Sequence, residues 1–299
     1  MNKYRQYVLP AAIVLGLLLH NVCAALSFLA PVLIFIILLL TFTAVDLRKL
    51  RPSSFDLWLM LYQVVASVAI YLGIRLFGGN KIIAEGVMMG ALSPVASSVT
   101  VVSCMLGANR ERTTTYTIVG NLMVALVAPV MFTLIGDHPE HSLWSAFILI
   151  LAKIGFTLAV PFFLALVLQI WLPKVNGALA RRAGWSYYVW AFALLITLGQ
   201  TIHFIFLHGE GNWRYIAWLG GLALLFCAFQ FWLGRRFGRR FGDVIGGSQL
   251  MGQKNTAMGI WMANHYLLPL ASVYLAFYSV FQNLFNSWQI WYYGRNKKK

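Results

Sequence analysis

Charge is scarce in this sequence. Only 10% of its 299 residues are Asp, Glu, Lys or Arg, and acidic residues number 8, whereas a soluble domain carries about a quarter charged residues. A water-soluble fold is thereby excluded. Cysteine is equally sparse: Cys23, Cys104 and Cys227 lie inside apolar stretches without CxxC spacing, which argues against a disulfide framework or a thiolate metal site. No GxxxxGK[ST] pattern occurs, and no connecting segment has room for a nucleotide-hydrolysing domain, so ATP-driven pumping within the chain is excluded. A membrane-embedded enzyme would need a nucleophile with its base, a metal-ligand cluster or paired carboxylates within the membrane. None is present, and no enzymatic activity, cofactor or metal is expected.

What is abundant is apolar length. Residues of the AVILMFWYC class make up 60% of the chain, in runs of about 20 that each suffice to cross roughly 30 Å of hydrocarbon. The runs fall at 7–23, 26–45, 55–77, 82–106 and 113–135, then at 143–171, 186–208, 213–233, 245–264 and 268–293. They predict an all-α polytopic membrane protein of ten transmembrane helices, in one domain over residues 1–299. Lys3 and Arg5 ahead of an apolar run resemble a signal peptide, but a second apolar span follows immediately, so the first is read as a retained span. Ten spans divide into two sets of five, repeat one about 7–135 and repeat two about 143–293. An odd number per half forces the halves into opposite orientations, as in inverted-repeat transporters. A small internal echo, Ala108-Asn109 and Ala263-Asn264, accompanies that division.

The formal charge of +15 would suit nucleic acid or a membrane surface, and placement decides between them. One alternate set of loops and ends collects Lys3, Arg5, Arg48, Lys49, Arg51, Arg110, Arg112, Lys174, Arg181, Arg182, Arg235, Arg236, Arg239, Arg240, Arg295, Lys297, Lys298 and Lys299. The opposite set holds Arg75, Lys81 and Arg214. By the positive-inside rule both termini are cytoplasmic and the chain is a multi-pass protein of the inner (plasma) membrane. The charge reports orientation in the lipid bilayer, with no nucleic-acid partner and no obligate protein partner.

Two spans break the apolar rule, the fourth and the ninth, which are equivalent members of the two halves. GALSPVASSVT sets Ser93, Pro94, Ser97, Ser98 and Thr100 in one, and GGSQLMGQKNTAMG sets Gln249, Gln253, Lys254 and Asn255 among glycines in the other. Pro94 removes a backbone donor and obstructs a continuous helix. Freed backbone groups cannot face lipid, so paired breaks are expected to meet and line a cavity near the midplane; close packing of small residues is the alternative use. Lys254 lies about ten residues from either end of its span, roughly 15 Å deep, and a charge there marks function. Lys153 sits in a longer span beside Thr157 and reads as structural or as reaching towards the interface. Asp137-His138-Pro139-Glu140-His141 reads as an exposed turn rather than a metal site, and His203 and His208 as contacts near the interface.

With these residues in place, the chain resembles the bile acid:sodium symporter family, ten-helix inverted-repeat transporters whose unwound fourth and ninth helices cross at the midplane. The resemblance spans most of the chain and is specific at four places. LYQVVA puts Gln63 where the family has a sodium-liganding Gln. GALSPVASSVTVVSCMLGANRERTTTYT is similar to the family's Gly-x-x-Pro segment, with Thr113 and Thr117 on hydroxyl ligands of its first sodium site. GQKNTAMG falls on a Gly-x-Gln-Asn-Ser/Thr-Gly stretch, with Asn255 on the Asn that contacts substrate. FYSVFQNLFNSW resembles Phe-Ser-x-x-His-Asn, with Gln282 replacing His and Asn283 kept.

The resemblance implies a secondary transporter that moves a small or amphipathic organic anion by alternating access. A core of spans 3 to 5 and 8 to 10 would move against a panel of spans 1, 2, 6 and 7. Lys254, Asn255, Gln282, Asn283 and Thr100 are the expected substrate-binding residues. Gln63, Thr113, Thr117, Gln249 and Lys254 are the ion-site-like ones. The family's central Glu is Leu250 in this chain, its next Gln is Lys254, and its Ser-Asn pair reads Val99-Thr100. We therefore expect the Lys254 ammonium to stand in the second sodium site, held by Gln63 and exposed carbonyls, giving sodium-independent transport. A lysine that alternates between neutral and charged forms would instead couple the anion to a proton. Two alternatives stay open: a sodium-coupled symporter with one residual site built from Thr100, Thr113, Thr117 and Gln249, and a non-transporting receptor on the same scaffold.

Overall fold

The computed structural model describes residues 5–135, 143–208 and 213–296. Among these the chain is all-α, with no strand. Its helices are α1 (Arg5–Leu18), α2 (His20–Ala25), α3 (Ala30–Thr43), α4 (Ser54–Leu76), α5 (Lys81–Leu92), α6 (Val99–Leu106), α7 (Arg110–Ile135), α8 (Leu143–Trp171), α9 (Pro173–Arg181), α10 (Ser186–His208), α11 (Trp213–Arg240), α12 (Val244–Gly252), α13 (Thr256–Tyr266) and α14 (Ser272–Asn296).

Among the described residues, α4, α7, α8, α10 and α11 are long and apolar enough to cross a membrane. The remaining expected spans are divided, shorter or less apolar. The first divides into α1 and α2, and the second starts only at Ala30, where Pro31 occupies the first turn of α3. The fourth divides into α5 and α6, and the ninth into α12 and α13. The tenth, α14, is 25 residues long, but buried Ser279, Gln282, Asn283, Asn286 and Gln289 dilute its apolar character.

The ends of these pieces are written in the sequence. The Asp56 carboxylate accepts from Ser53 N and Ser53 Oγ, both at 2.7 Å, at the start of α4. Asn80 Oδ1 accepts from Ile82 N at 2.8 Å ahead of α5, and Asp243 Oδ1 from Gly246 N at 2.7 Å ahead of α12. Each supplies an acceptor to amides that lack one within the helix. Gly107, at φ 104°, closes α6 in the left-handed conformation that glycine adopts without strain.

Packing sorts the helices into two groups. In one, α4 lies on α5, α11 lies on α5, α12 and α14, and α6 and α7 close the other side against α12. In the second, α1 and α2 lie on α10, α3 lies between α8 and α10, and α9 fills the corner between α3 and α8. Gln169 pins that corner: its amide donates to Phe42 O at 3.0 Å and Val45 O at 2.7 Å and accepts from Leu47 N at 3.3 Å. The two groups share an extensive seam: α7 lies along α8 about as fully as α3 does, and α14 lies on α1 and α10. Gly234 and Gly238 of α11 press on Gly247 and Asp243 backbone, so closely that no Cβ fits there. This is the small-xxx-small spacing that lets helix backbones approach in membranes.

Candidate functional site

Both expected breaks are present, and they touch. Asn255 N donates to Pro94 O at 2.7 Å and Ala96 N to Gln253 O at 3.3 Å, which pairs Val95 with Lys254 in a single antiparallel bridge. Each interrupted segment thus satisfies part of the other's exposed backbone.

The end of α5 leaves carbonyls that no helical amide can reach. Buried side chains from three other elements reach them instead. Gln230 Nε2 of α11 donates to Gly90 O at 2.9 Å, Lys254 Nζ to Ala91 O at 2.9 Å, and Gln63 Nε2 of α4 to Leu92 O at 2.9 Å and Ser93 O at 2.8 Å. Lys254 is 2% exposed. A donor at a helix C-terminus faces the negative end of the helix dipole, which favours a positive charge there. Gln63 therefore lies on the carbonyls next to Lys254's and not on the ammonium, and its own Oε1 accepts from Tyr116 OH at 3.1 Å.

The second break is closed from α14. Gln282 grips the Lys254 backbone, accepting from its N at 2.7 Å and donating to its O at 3.0 Å. Tyr278 OH donates to Gly252 O at 2.9 Å. Asn255 Oδ1 caps α13 by accepting from Met258 N at 3.1 Å, and Asn283 Nδ2 donates to Ser279 O at 2.7 Å.

A cavity of about 80 Å³ opens between the two breaks and the second helix group. Lys254, Asn255, Gln282 and Asn283 line it, with Ile37 of α3 and Trp190 of α10 across from them. Four of the five expected substrate-binding residues are therefore together. Thr100, the fifth, instead lines a second cavity of about 200 Å³, with Thr41, Cys104, Arg110, Ser186 and Tyr187.

The other ion-site-like residues are buried. Thr113 Oγ1 donates to Asn109 O and Arg110 O, both at 3.0 Å, and Thr117 Oγ1 to Thr113 O at 2.7 Å. Gln249 Nε2 donates to Gln289 Oε1 at 2.9 Å, and its Oε1 accepts from Gln253. Leu250 packs with Phe55, Leu59, Val95, Val99 and Tyr116 in an apolar cluster, so that position offers no ligand oxygen from a side chain. Ala108-Asn109 lies between α6 and α7 whereas Ala263-Asn264 lies inside the last turn of α13, so the sequence echo does not mark equivalent structural positions.

Lys153 is exposed and sets its Nζ 3.7 Å from the Trp261 ring centroid, a cation–π contact from α8 to α13. His203 Nδ1 lies 3.0 Å from Asn21 Oδ1. The Asp137–His141 turn and the His208 side chain lie outside the described residues. Sequence reasoning missed Gln230, Tyr278, Gln289 and buried Glu85, whose Oε2 accepts from Leu268 N at 2.9 Å. Gln230 was detectable as a lone amide in LLFCAFQFWLG; the partners of the other three depend on the tertiary arrangement. Comparison of the sequence with protein-family models and with curated proteins gave no match.

Proposed function

We propose that this protein is a secondary transporter for a small or amphipathic organic anion, working by alternating access on a scaffold of the bile acid:sodium symporter kind. In this reading ten spans form two inverted repeats, with α5–α6 and α12–α13 as the crossed, interrupted helices at the midplane of the inner membrane and both termini in the cytoplasm. The observation that carries the reading is the contact between the two breaks beside a cavity bounded by the second helix group. Interrupted backbone is tolerated at membrane depth where it lines a cavity, and a site between two sets of helices is the place alternating access would use.

Lys254 gives the site its positive character, and Asn255, Gln282 and Asn283 supply amides for a carboxylate, sulfonate or similar group. The same geometry supports transport that does not depend on sodium. A sodium ion beside the ammonium would be repelled by roughly 4 kcal/mol at 4 Å in an effective dielectric of 20, and Leu250 contributes no compensating carboxylate. The residues around Lys254 therefore do not fit a second-site sodium ion. Thr113, Thr117 and Gln249 keep oxygen lone pairs, which is what favours the residual-site alternative. Uptake of labelled aliphatic and aromatic carboxylates and sulfonates into proteoliposomes, in sodium or choline chloride, tests the reading. Saturable uptake of at least one anion in both salts supports it. Uptake only in sodium supports the residual site, and specific binding without flux supports a receptor.

A further inference from the structure

The four arginines closing α11 line neither the Lys254 cavity nor the Thr100 cavity. Arg235, Arg236, Arg239 and Arg240 occupy successive i, i+1, i+4 and i+5 positions, and at 100° per residue they cover one side of the helix, away from the Gly234 and Gly238 face that seats α12. None of the ion pairs among the described residues involves them. They are held in place by neutral groups: Arg235 Nη2 donates to Tyr293 OH of α14 at 2.7 Å, and the Arg236 guanidinium lies 5.1 Å from the Trp232 ring centroid.

A groove of about 370 Å³ runs between α11 and α14, lined by Leu224, Phe281, Leu284, Phe285 and Trp288. Leu224 is 42%, Leu284 46% and Trp288 53% exposed. Leu224 lies on the same stripe of α11 as Arg235 and Arg239, eleven residues earlier, or about 16 Å along the axis at 1.5 Å per residue. On α14, Trp288 stacks on Tyr292 at 5.7 Å, and Tyr292 is next in sequence to Tyr293, which meets Arg235. Apolar groove, exposed aromatics and guanidiniums that make no ion pair thus follow one another along one line, in the order of acyl chain, interface and headgroup.

We propose that this face holds one anionic phospholipid, with an acyl chain in the α11–α14 groove and the phosphate between Arg235 and Arg239. Guanidinium matches phosphate in charge and in bidentate geometry, and basic clusters at the end of a membrane helix attract anionic headgroups. A zwitterionic lipid offers the same chain and phosphate but adds a cation against the arginines, so charge selects. The proposal is independent of the transport reading and needs only that the long apolar helices lie in a membrane.

Native mass spectrometry of the full chain, released from detergent with dioleoyl phosphatidylglycerol or dioleoyl phosphatidylcholine, tests it. One phosphatidylglycerol is expected to stay bound where phosphatidylcholine does not. The double variant Arg235→Gln, Arg239→Gln should weaken that binding about tenfold or more, and Leu284→Trp, which fills the groove without altering charge, should weaken it comparably. Arg181→Gln with Arg182→Gln removes the same charge elsewhere and should leave it intact. Equal retention of the two lipids, equal loss in the Arg181 and Arg182 variant, or full retention in Leu284→Trp would overturn the proposal. Should Leu284→Trp not fold, Leu224→Phe gives the same test from the opposite wall.

Discussion

Lys254 Nζ donates to Ala91 O at 2.9 Å, so the ammonium of one broken segment closes the end of the other. The contact joins α5 to the α12–α13 break and leaves the rest of the lysine along the cavity wall. Lys254 is thus a helix-end group and, on the proposed reading, the residue that offers positive charge to an anion in the cavity.

Changing Lys254→Gln removes the charge and puts a neutral amide donor in its place. Anion uptake in proteoliposomes should fall about tenfold or more, the loss of roughly one charge-assisted hydrogen bond. If the ammonium occupies a cation position, the variant should also gain a rise in unfolding temperature in sodium over choline chloride that the parent lacks. Unchanged uptake together with an unchanged salt response would remove Lys254 from the mechanism.

Gln63 and Gln230 hold carbonyls at the end of α5 and do not line the cavity beside Lys254. Gln63→Leu leaves two buried carbonyls unmet and should cost about 2–4 kcal/mol; Gln230→Leu leaves one and should cost about 1–3 kcal/mol. Denaturant unfolding of the purified protein gives both values. Losses below about 0.5 kcal/mol for both would mean that other donors take over these carbonyls.

Asn255 caps α13 and faces the cavity, and two substitutions separate those roles. Asn255→Ala should lower stability by about 0.5–2 kcal/mol through loss of the cap. Asn255→Asp keeps a capping oxygen and should retain stability, while its negative charge lowers anion uptake more than Asn255→Ala does. The prediction fails if the two variants transport equally.

A Cβ at Gly234 would enter the Gly247 backbone, whereas Gly221 on the same helix faces open space. Gly234→Ala should destabilise by about 1–3 kcal/mol by forcing α11 from α12. Gly221→Ala should stabilise by up to about 1 kcal/mol through helix propensity alone. Thermal unfolding of the pair compares the two effects within one helix.

Apolar run length and the scarcity of charge were enough to read an all-α chain with membrane-crossing helices, because hydrocarbon leaves a backbone few ways to satisfy itself. The two interruptions were legible for the same reason: Pro94, the glycines around Gln253 and the misplaced charge of Lys254 are local conflicts with a continuous apolar helix. The caps at Asn80 and Asp243 act over only two or three residues, but they emerged from the structure and not from the sequence reading. What reaches across the chain was not legible. That Gln63 and Gln230 meet the carbonyls of α5, that Gln282 grips Lys254 rather than facing the cavity alone, and that Thr100 lines a different cavity from Lys254 all depend on how the helices pack. Side-chain type and spacing along one helix select a face, but the partner of that face is set by tertiary packing.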